Sequence, residues 1–306
     1  MNEKKIGISI GQLQRIYGDK GALEIAARIG ADSVDFATHY FDKRIWDFRE
    51  PTSIYAQGDE AVIQYCTELR KYAESLGIII GQTHGRGEGF LNNKELDDAQ
   101  VENARLDLLA ASALGAKVCI VHNATSINHG PYPDPEMMRN LSFDQYTRML
   151  PYAAKYRVKL ATETFGDAVE YDCVDFFGNI NEFINTYNRI STASEYHDWF
   201  TVCVDTGHTN KASRFGFPNV GKVIRMLGKN VGALHLNDND TLTDQHKIPM
   251  TGTIDWNDIM NALEEIGYSG IYNMELNLAH FGKGLEVETA AFAIKVMRNL
   301  LKSRAD

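Results

Sequence analysis

The sequence predicts a single-domain (β/α)8 barrel over residues 1–306, and three observations carry that expectation. Short apolar, β-branched runs alternate with helix-patterned stretches eight times along the chain. Strands separated by helices pair in parallel through right-handed crossovers, and eight such units close a sheet on itself. An open doubly wound sheet is the rival arrangement, but no G-x-G-x-x-G phosphate turn follows the first strand. No linker rich in Gly, Ser or Pro divides the chain.

The first unit pairs a strand over Lys5–Ile10 with a helix over Ala22–Ile29. Ser33–Thr38 is the second strand, and a long polar loop, Tyr40–Gly58, leads to a helix over Glu60–Ser75. Strand three spans Gly77–His84. The glycine-rich HGRGEG then opens onto a helix over Asp97–Leu114, with Val101, Ala104, Leu108 and Ala111 at helical spacing. Strand four, Lys117–Asn123, runs into a loop bearing Pro131, Pro133 and Pro135. The next helix is expected over Ser142–Tyr156, with Ser142 as N-cap, Gln145 three residues on and a kink at Pro151. Strand five, Lys159–Phe165, precedes a helix near Ile180–Ile190. Strand six, Thr201–Asp205, breaks at Gly207, and a helix over Lys222–Leu227 follows FGFPNVG. Strand seven, Val231–Asn237, has a loop ending in GTIDW and a helix over Trp256–Ile266. Gly270–Asn277 and Val287–Leu301 complete the eighth unit.

Hydrophobic residues make up 44% and charged residues 24%, the balance of a globular protein with a large core. The net charge of −10 argues against broad binding to nucleic acid, which needs a basic footprint. Cys66, Cys119, Cys173 and Cys203 form no CxxC pair. Cys119 and Cys203 lie inside apolar runs and read as buried free thiols of a reducing cytoplasm. The start, MNEKKIGISIGQL, has too short an apolar run for a signal peptide, and no stretch is long enough for a membrane helix. No membrane partner is expected.

The chemistry concentrates at strand ends. In TVCVDTGHTN, residues 201–210, Asp205 and His208 lie just past a buried apolar run. A carboxylate and an imidazole together offer hard oxygen and borderline nitrogen to a divalent cation. Three further strand ends, in ATETF, ALHLND and YNMELN, contribute Glu163, His235 and Glu275. Successive members of the set Glu163, Asp205, His235 and Glu275 are 42, 30 and 40 residues apart, one βα unit each time. In a barrel the C-terminal strand ends converge on one face. Strand alternation turns His235 inward between Leu234 and Leu236, and leaves Asn273 and Glu275 on the face opposite Tyr272, Met274 and Leu276. Three buried carboxylates without a cation would raise one another's pKa, so a divalent metal is the simplest compensation.

TETFG, VDTGH and HLNDNDTLTDQHKIPMTGTIDW (residues 235–256) resemble the xylose isomerase-like TIM barrels, which include sugar and sugar-phosphate epimerases and isomerases, D-tagatose 3-epimerase-like proteins and endonuclease IV. The resemblance covers nearly the whole chain. It implies one divalent ion on Glu163, Asp205, His235 and Glu275, the two glutamates as acid/base pair, and His208 holding substrate. The implied activity is epimerisation or isomerisation of a sugar or sugar phosphate. Bound to a ketose carbonyl and its neighbouring hydroxyl, the metal would acidify the adjacent C–H and stabilise an ene-diolate. One glutamate would remove the proton and the other return one to the opposite face. An oxygen-rich set with one histidine suits Mn²⁺ first, with Zn²⁺, Co²⁺ or Mg²⁺ as alternatives.

Other residues are read around this set. His84 and His122, ending strands three and four, and the Asp244/His246 pair match positions that hold further metals in endonuclease IV. His84 and His122 are expected to meet substrate, with Arg86 and Trp256. Asp244, His246 and Asp238 are candidates for a second ion or for hydrogen bonds behind the ligands, Asp238 as acceptor from the His235 imidazole. Lys211, Arg214 and Lys247 are further loop cations, and Phe165 and Phe281 further candidate pocket walls. The arginine that some ketose 3-epimerases carry after the strand-seven histidine is replaced by Asp238–Thr241. Inosose-type dehydratases and hydroxypyruvate-type isomerases share the architecture and are the alternative readings, ahead of an endonuclease IV-like phosphodiesterase or a non-catalytic sugar-binding barrel. Such barrels often pair, so a homo-oligomer is a candidate state.

Overall fold

The computed structural model describes residues 4–41 and 52–302. The part of the predicted polar loop over residues 42–51 lies outside the described residues. Eight parallel strands form the central sheet: β1 (Ile6–Ser9), β2 (Ser33–Ala37), β3 (Ile79–His84), β4 (Val118–Ile120), β5 (Lys159–Glu163), β6 (Phe200–Asp205), β7 (Val231–His235) and β8 (Tyr272–Met274). From β1 to β7 each pairs with the next in sequence, and β1 pairs with β8 in the register Ile6↔Tyr272. A parallel bridge Leu236↔Met274, with the Leu236 amide donating to the Asn273 carbonyl at 2.8 Å, joins the last two strands and closes the (β/α)8 barrel.

The alternation read from the sequence divides the core in two. Leu234, Leu236, Tyr272 and Met274 belong to the large cluster between strands and helices. Val118, Ile120, Ala161, Cys203 and Ala233 form a separate small cluster inside the barrel. Ala161, Cys203 and Ala233 stand two residues before Glu163, Asp205 and His235, so all three polar side chains rise from the interior face. The register slips by one residue between Val34↔Ile80 and Asp35↔Gln82, leaving Gly81 unpaired. A Cβ on Gly81 would lie 2.1 Å from Ile271 Cδ1 and 2.5 Å from Ser33 Oγ, so a larger residue in this bulge would displace both side chains.

Helix boundaries show where local chemistry outweighed the periodicity. The first helical stretch runs over Gly11–Arg28, broken at Gly18 (φ 70°, ψ 171°), and so begins well before the expected Ala22. The helix between β4 and β5 spans Pro135–Tyr156, not Ser142–Tyr156. Asp134 caps it by accepting from the Met137 amide at 2.7 Å, and Pro135 sits at the first helical position, where its missing N–H costs nothing. Ser142 is therefore buried in mid-helix. A helix over Thr206–Ser213 directly follows β6, and a two-stranded hairpin joins Asp167–Ala168 to Cys173–Val174. Both are too short to carry a periodicity signal. Cys66, Cys119 and Cys203 are buried free thiols, and Cys173 is a half-buried one. No helix among the described residues is long and apolar enough to cross a membrane.

Candidate metal centre

The four residues singled out at strand ends converge. One ligand-type atom from each of Glu163, Asp205, His235 and Glu275 lies within 4.8 Å of the others. His235 Nδ1 is 3.1 Å from Glu163 Oε1 and 3.4 Å from Glu275 Oε2. Glu163 Oε1 and His235 Nδ1 are both buried, yet neither has a hydrogen-bond partner. Two buried ligand-type atoms without a hydrogen-bond partner, facing each other amid carboxylates, fit a divalent cation. A cluster able to hold such an ion is therefore present.

Each side chain is fixed by its own neighbours. Asp205 caps the Thr206–Ser213 helix, Oδ1 accepting from the His208 amide at 2.7 Å. Its Oδ2 accepts from Asn237 Nδ2 at 2.8 Å. A Cβ on Gly207 would fall 1.9 Å from Asn237 Oδ1, so the glycine keeps room for that carboxamide. Glu275 follows β8, and its amide donates to the Leu236 carbonyl at 3.3 Å. His235 Nε2 meets Asp35 Oδ2 at 2.9 Å, both side chains fully buried.

Histidines ring the cluster. His122 Nε2 is 3.1 Å and His84 Nε2 3.7 Å from Glu163 Oε2, and these three residues form a ligand-like group of their own. The His84 ring stacks on His235 at 5.4 Å between centroids. His208 Nδ1 lies 3.4 Å from Glu163 Oε1, and its Nε2 lies 3.5 Å from Asp244 Oδ2. His246 Nε2 contacts Asp244 Oδ2 at 3.2 Å, and its Nδ1 contacts the Glu275 carbonyl oxygen at 3.1 Å. His246 adopts φ 45°, a left-handed conformation uncommon outside glycine. Asp205, His208 and His246 also lie close enough to share an ion.

Charge balance follows from this packing. Burial works against the protonated form of His235, but the neighbouring Glu275 and Glu163 carboxylates and the bond to Asp35 raise its pKa well above the histidine range. Burial likewise opposes charge on His208 and His246. Asp205 and Asp244 hold His208 well up, and the Asp244 contact with Glu275 nearby brings His246 to about 9. Burial raises Glu163, yet His235 and His122 more than offset it and hold the carboxyl well below its usual range. Burial dominates at Asp205 and raises it. Without a metal, protons on histidines neutralise the carboxylates; a cation would displace them.

Several expected roles change. Asp238 does not meet His235. Its carboxylate accepts from the amides of Asn239, Met250 and Ile254 and, at 2.8 Å, from Trp256 Nε1. With the Asp238–Lys247 backbone bridge, these bonds fold the loop after β7 so that Asp244 and His246 reach the site. Trp256 is buried in the core with its indole N–H bound to Asp238, which anchors its helix. Arg86 is buried, its charge felt by Asp107 and His39. Lys211 is buried against Asp167 at 2.6 Å, and Arg214 pairs with Asp167 and Asp172. Phe165 lies edge-on to His122 at 5.7 Å, and Phe281 is exposed. Asp35 and Asn237 carry no strand-end signal of their own: alternation places them on the interior face, but only the barrel register shows what they touch.

Among curated proteins, the chain is 26% identical to uncharacterized protein y4fM of Sinorhizobium fredii over 173 residues, 56% of this chain and 50% of that one. It is 28% identical to inosose isomerase of Bacillus subtilis over 148 residues, 46% of this chain and 48% of that one. Each match spans about half the relative's length. Among solved structures, a D-tagatose 3-epimerase-like protein superposes with a TM-score of 0.71 at 18% identity, covering 97% of both chains, a likeness of fold. The family model described as xylose isomerase-like TIM barrel matches residues 23–300, and the chain belongs to that family.

Proposed function

We propose that this protein is a divalent-metal-dependent carbohydrate epimerase or isomerase that moves a proton at a carbon next to a carbonyl, through an ene-diolate. The observation that carries this reading is the pair of glutamates within one buried, histidine-ringed cluster suited to a cation. Glu163, Asp205, His235 and Glu275 would hold the ion, with Mn²⁺ the first choice for an oxygen-rich set. When bound, it supplies Lewis acidity that acidifies the C–H beside the carbonyl and stabilises the charge left behind.

The residues supply the rest. Glu275, with a side chain 24% exposed, is open to a substrate, whereas Glu163 is enclosed and held ionised by its histidines. One carboxylate takes the proton and the other returns one to the opposite face, inverting the carbon; return to the carbonyl carbon gives isomerisation instead. His208, beside Glu163, and His246, beside Glu275, are placed to meet substrate oxygens. The partial match to inosose isomerase favours a second substrate class, the cyclic keto-polyols, within the same chemistry.

The test is deuterium incorporation by NMR. The Mn²⁺-loaded protein is incubated in D₂O with free and phosphorylated ketoses and with an inosose. Deuterium beside the carbonyl with a new epimer supports epimerisation, and an aldose product supports isomerisation. Bound metal without exchange on any member sinks the reading.

A further inference from the structure

Behind the cluster lies a carboxylate that no ligand pattern requires. Asp35 is 1% exposed, and three donors converge on its Oδ2: Ser9 Oγ at 3.1 Å, Gln82 Nε2 at 3.1 Å and His235 Nε2 at 2.9 Å. Two of these contacts are built into the sheet. Ser9 and Asp35 are register partners across β1 and β2. The bulge at Gly81 brings Gln82, rather than its neighbour, opposite Asp35.

The His235 ring has two orientations that a half-turn about Cβ–Cγ interconverts. Stacking on His84, with ring planes 5° apart, fixes the plane of the imidazole but does not choose between them. In the observed orientation Nε2 faces Asp35 and Nδ1 faces Glu163 and Glu275. After a half-turn, ring carbons would face both, and the buried Asp35 would lose its imidazole donor. An N–H bound to a carboxylate fixes the tautomer of a metal-ligating histidine and raises its basicity.

We propose that Asp35 is a positioning residue that locks His235 with Nε2–H on its carboxylate, so that Nδ1, not Nε2, is the nitrogen offered to a divalent ion. Ser9 and the bulge-aimed Gln82 hold Asp35 in place for that task. This rests on reading the cluster as a metal centre, but not on any substrate or reaction.

Two measurements without substrate test it. Competition against a chromophoric chelator gives the Kd of Zn²⁺ and Mn²⁺ for the wild-type protein and Asp35→Asn, with metal-free melting curves alongside. The variant is expected to bind about 10–100-fold more weakly. Nitrogen-15 NMR of the Zn²⁺-loaded wild-type protein is expected to show His235 metal-bound at Nδ1 and proton-bearing at Nε2. That spectrum decides the matter even if the variant does not fold. Metal on Nε2, or an unchanged Kd in a folded Asp35→Asn protein, overturns the assignment while leaving the metal centre standing. Failure of the wild-type protein to bind either ion overturns both.

Discussion

Replacing the two glutamates by glutamine, one at a time, distinguishes the one that also carries stability from the one whose effect is on chemistry alone. Glu163 is 1% exposed, with His122, His235 and His208 at 3.1, 3.1 and 3.4 Å. Glu163→Gln removes the charge that balances these buried imidazoles. Stranding one partner of a buried pair costs about 3–5 kcal/mol. At roughly 2 °C per kcal/mol for a chain of this size, the metal-free protein should melt about 6–10 °C lower. Glu275 is more open, so Glu275→Gln should change stability by about 1 kcal/mol or less. Its effect falls on proton transfer: loss of a general acid/base lowers the rate by about 10²–10⁴, or about 3–5 kcal/mol in the barrier. The assay pairs calorimetric melts of both variants with deuterium exchange into substrate at saturating metal. Full exchange by Glu275→Gln, or a wild-type melting temperature for Glu163→Gln, would refute the division of roles.

Metal affinity should rise with pH, because His235 must release its proton to bind. The gain is about tenfold per pH unit for each proton displaced, across a window from about pH 6 to about pH 7, where the raised pKa keeps the imidazole charged. A pH-independent Kd would contradict this. The metal-free protein should lose stability as pH rises. His246 is raised from 6.5 to about 9, so its contribution is complete below pH 6.5 and disappears as pH passes through about 9. Thermal melts from mildly acidic to alkaline pH, with and without metal, would reveal the slope. Gly207→Ala should weaken metal binding by about tenfold or more by pushing Asn237 off Asp205, and chelator competition would detect it. Asp238→Ala should cost about 3 kcal/mol in urea denaturation by leaving the Trp256 indole and two distant loop amides, of Met250 and Ile254, without their acceptor.

The barrel and the four convergent residues were legible in the sequence because both are local signals. Alternation within each strand fixes which residues face inward, and the repeat of the βα unit fixes that successive strand ends share one rim. His235 between two core leucines is readable from three letters. The helix over Thr206–Ser213, the Asp134 cap and the hairpin near Asp167 depend on single hydrogen bonds and short runs that leave no periodic trace. Acceptor choice was not legible at all. Asp238, three residues from His235, was the neighbour expected to orient it, yet its carboxylate is taken up by Trp256 and loop amides. The group that reaches the imidazole is Asp35, 200 residues away in the chain. Closure of the sheet and a one-residue bulge bring these two together, because hydrogen bonds are settled by distance and direction in space, and sequence separation carries neither.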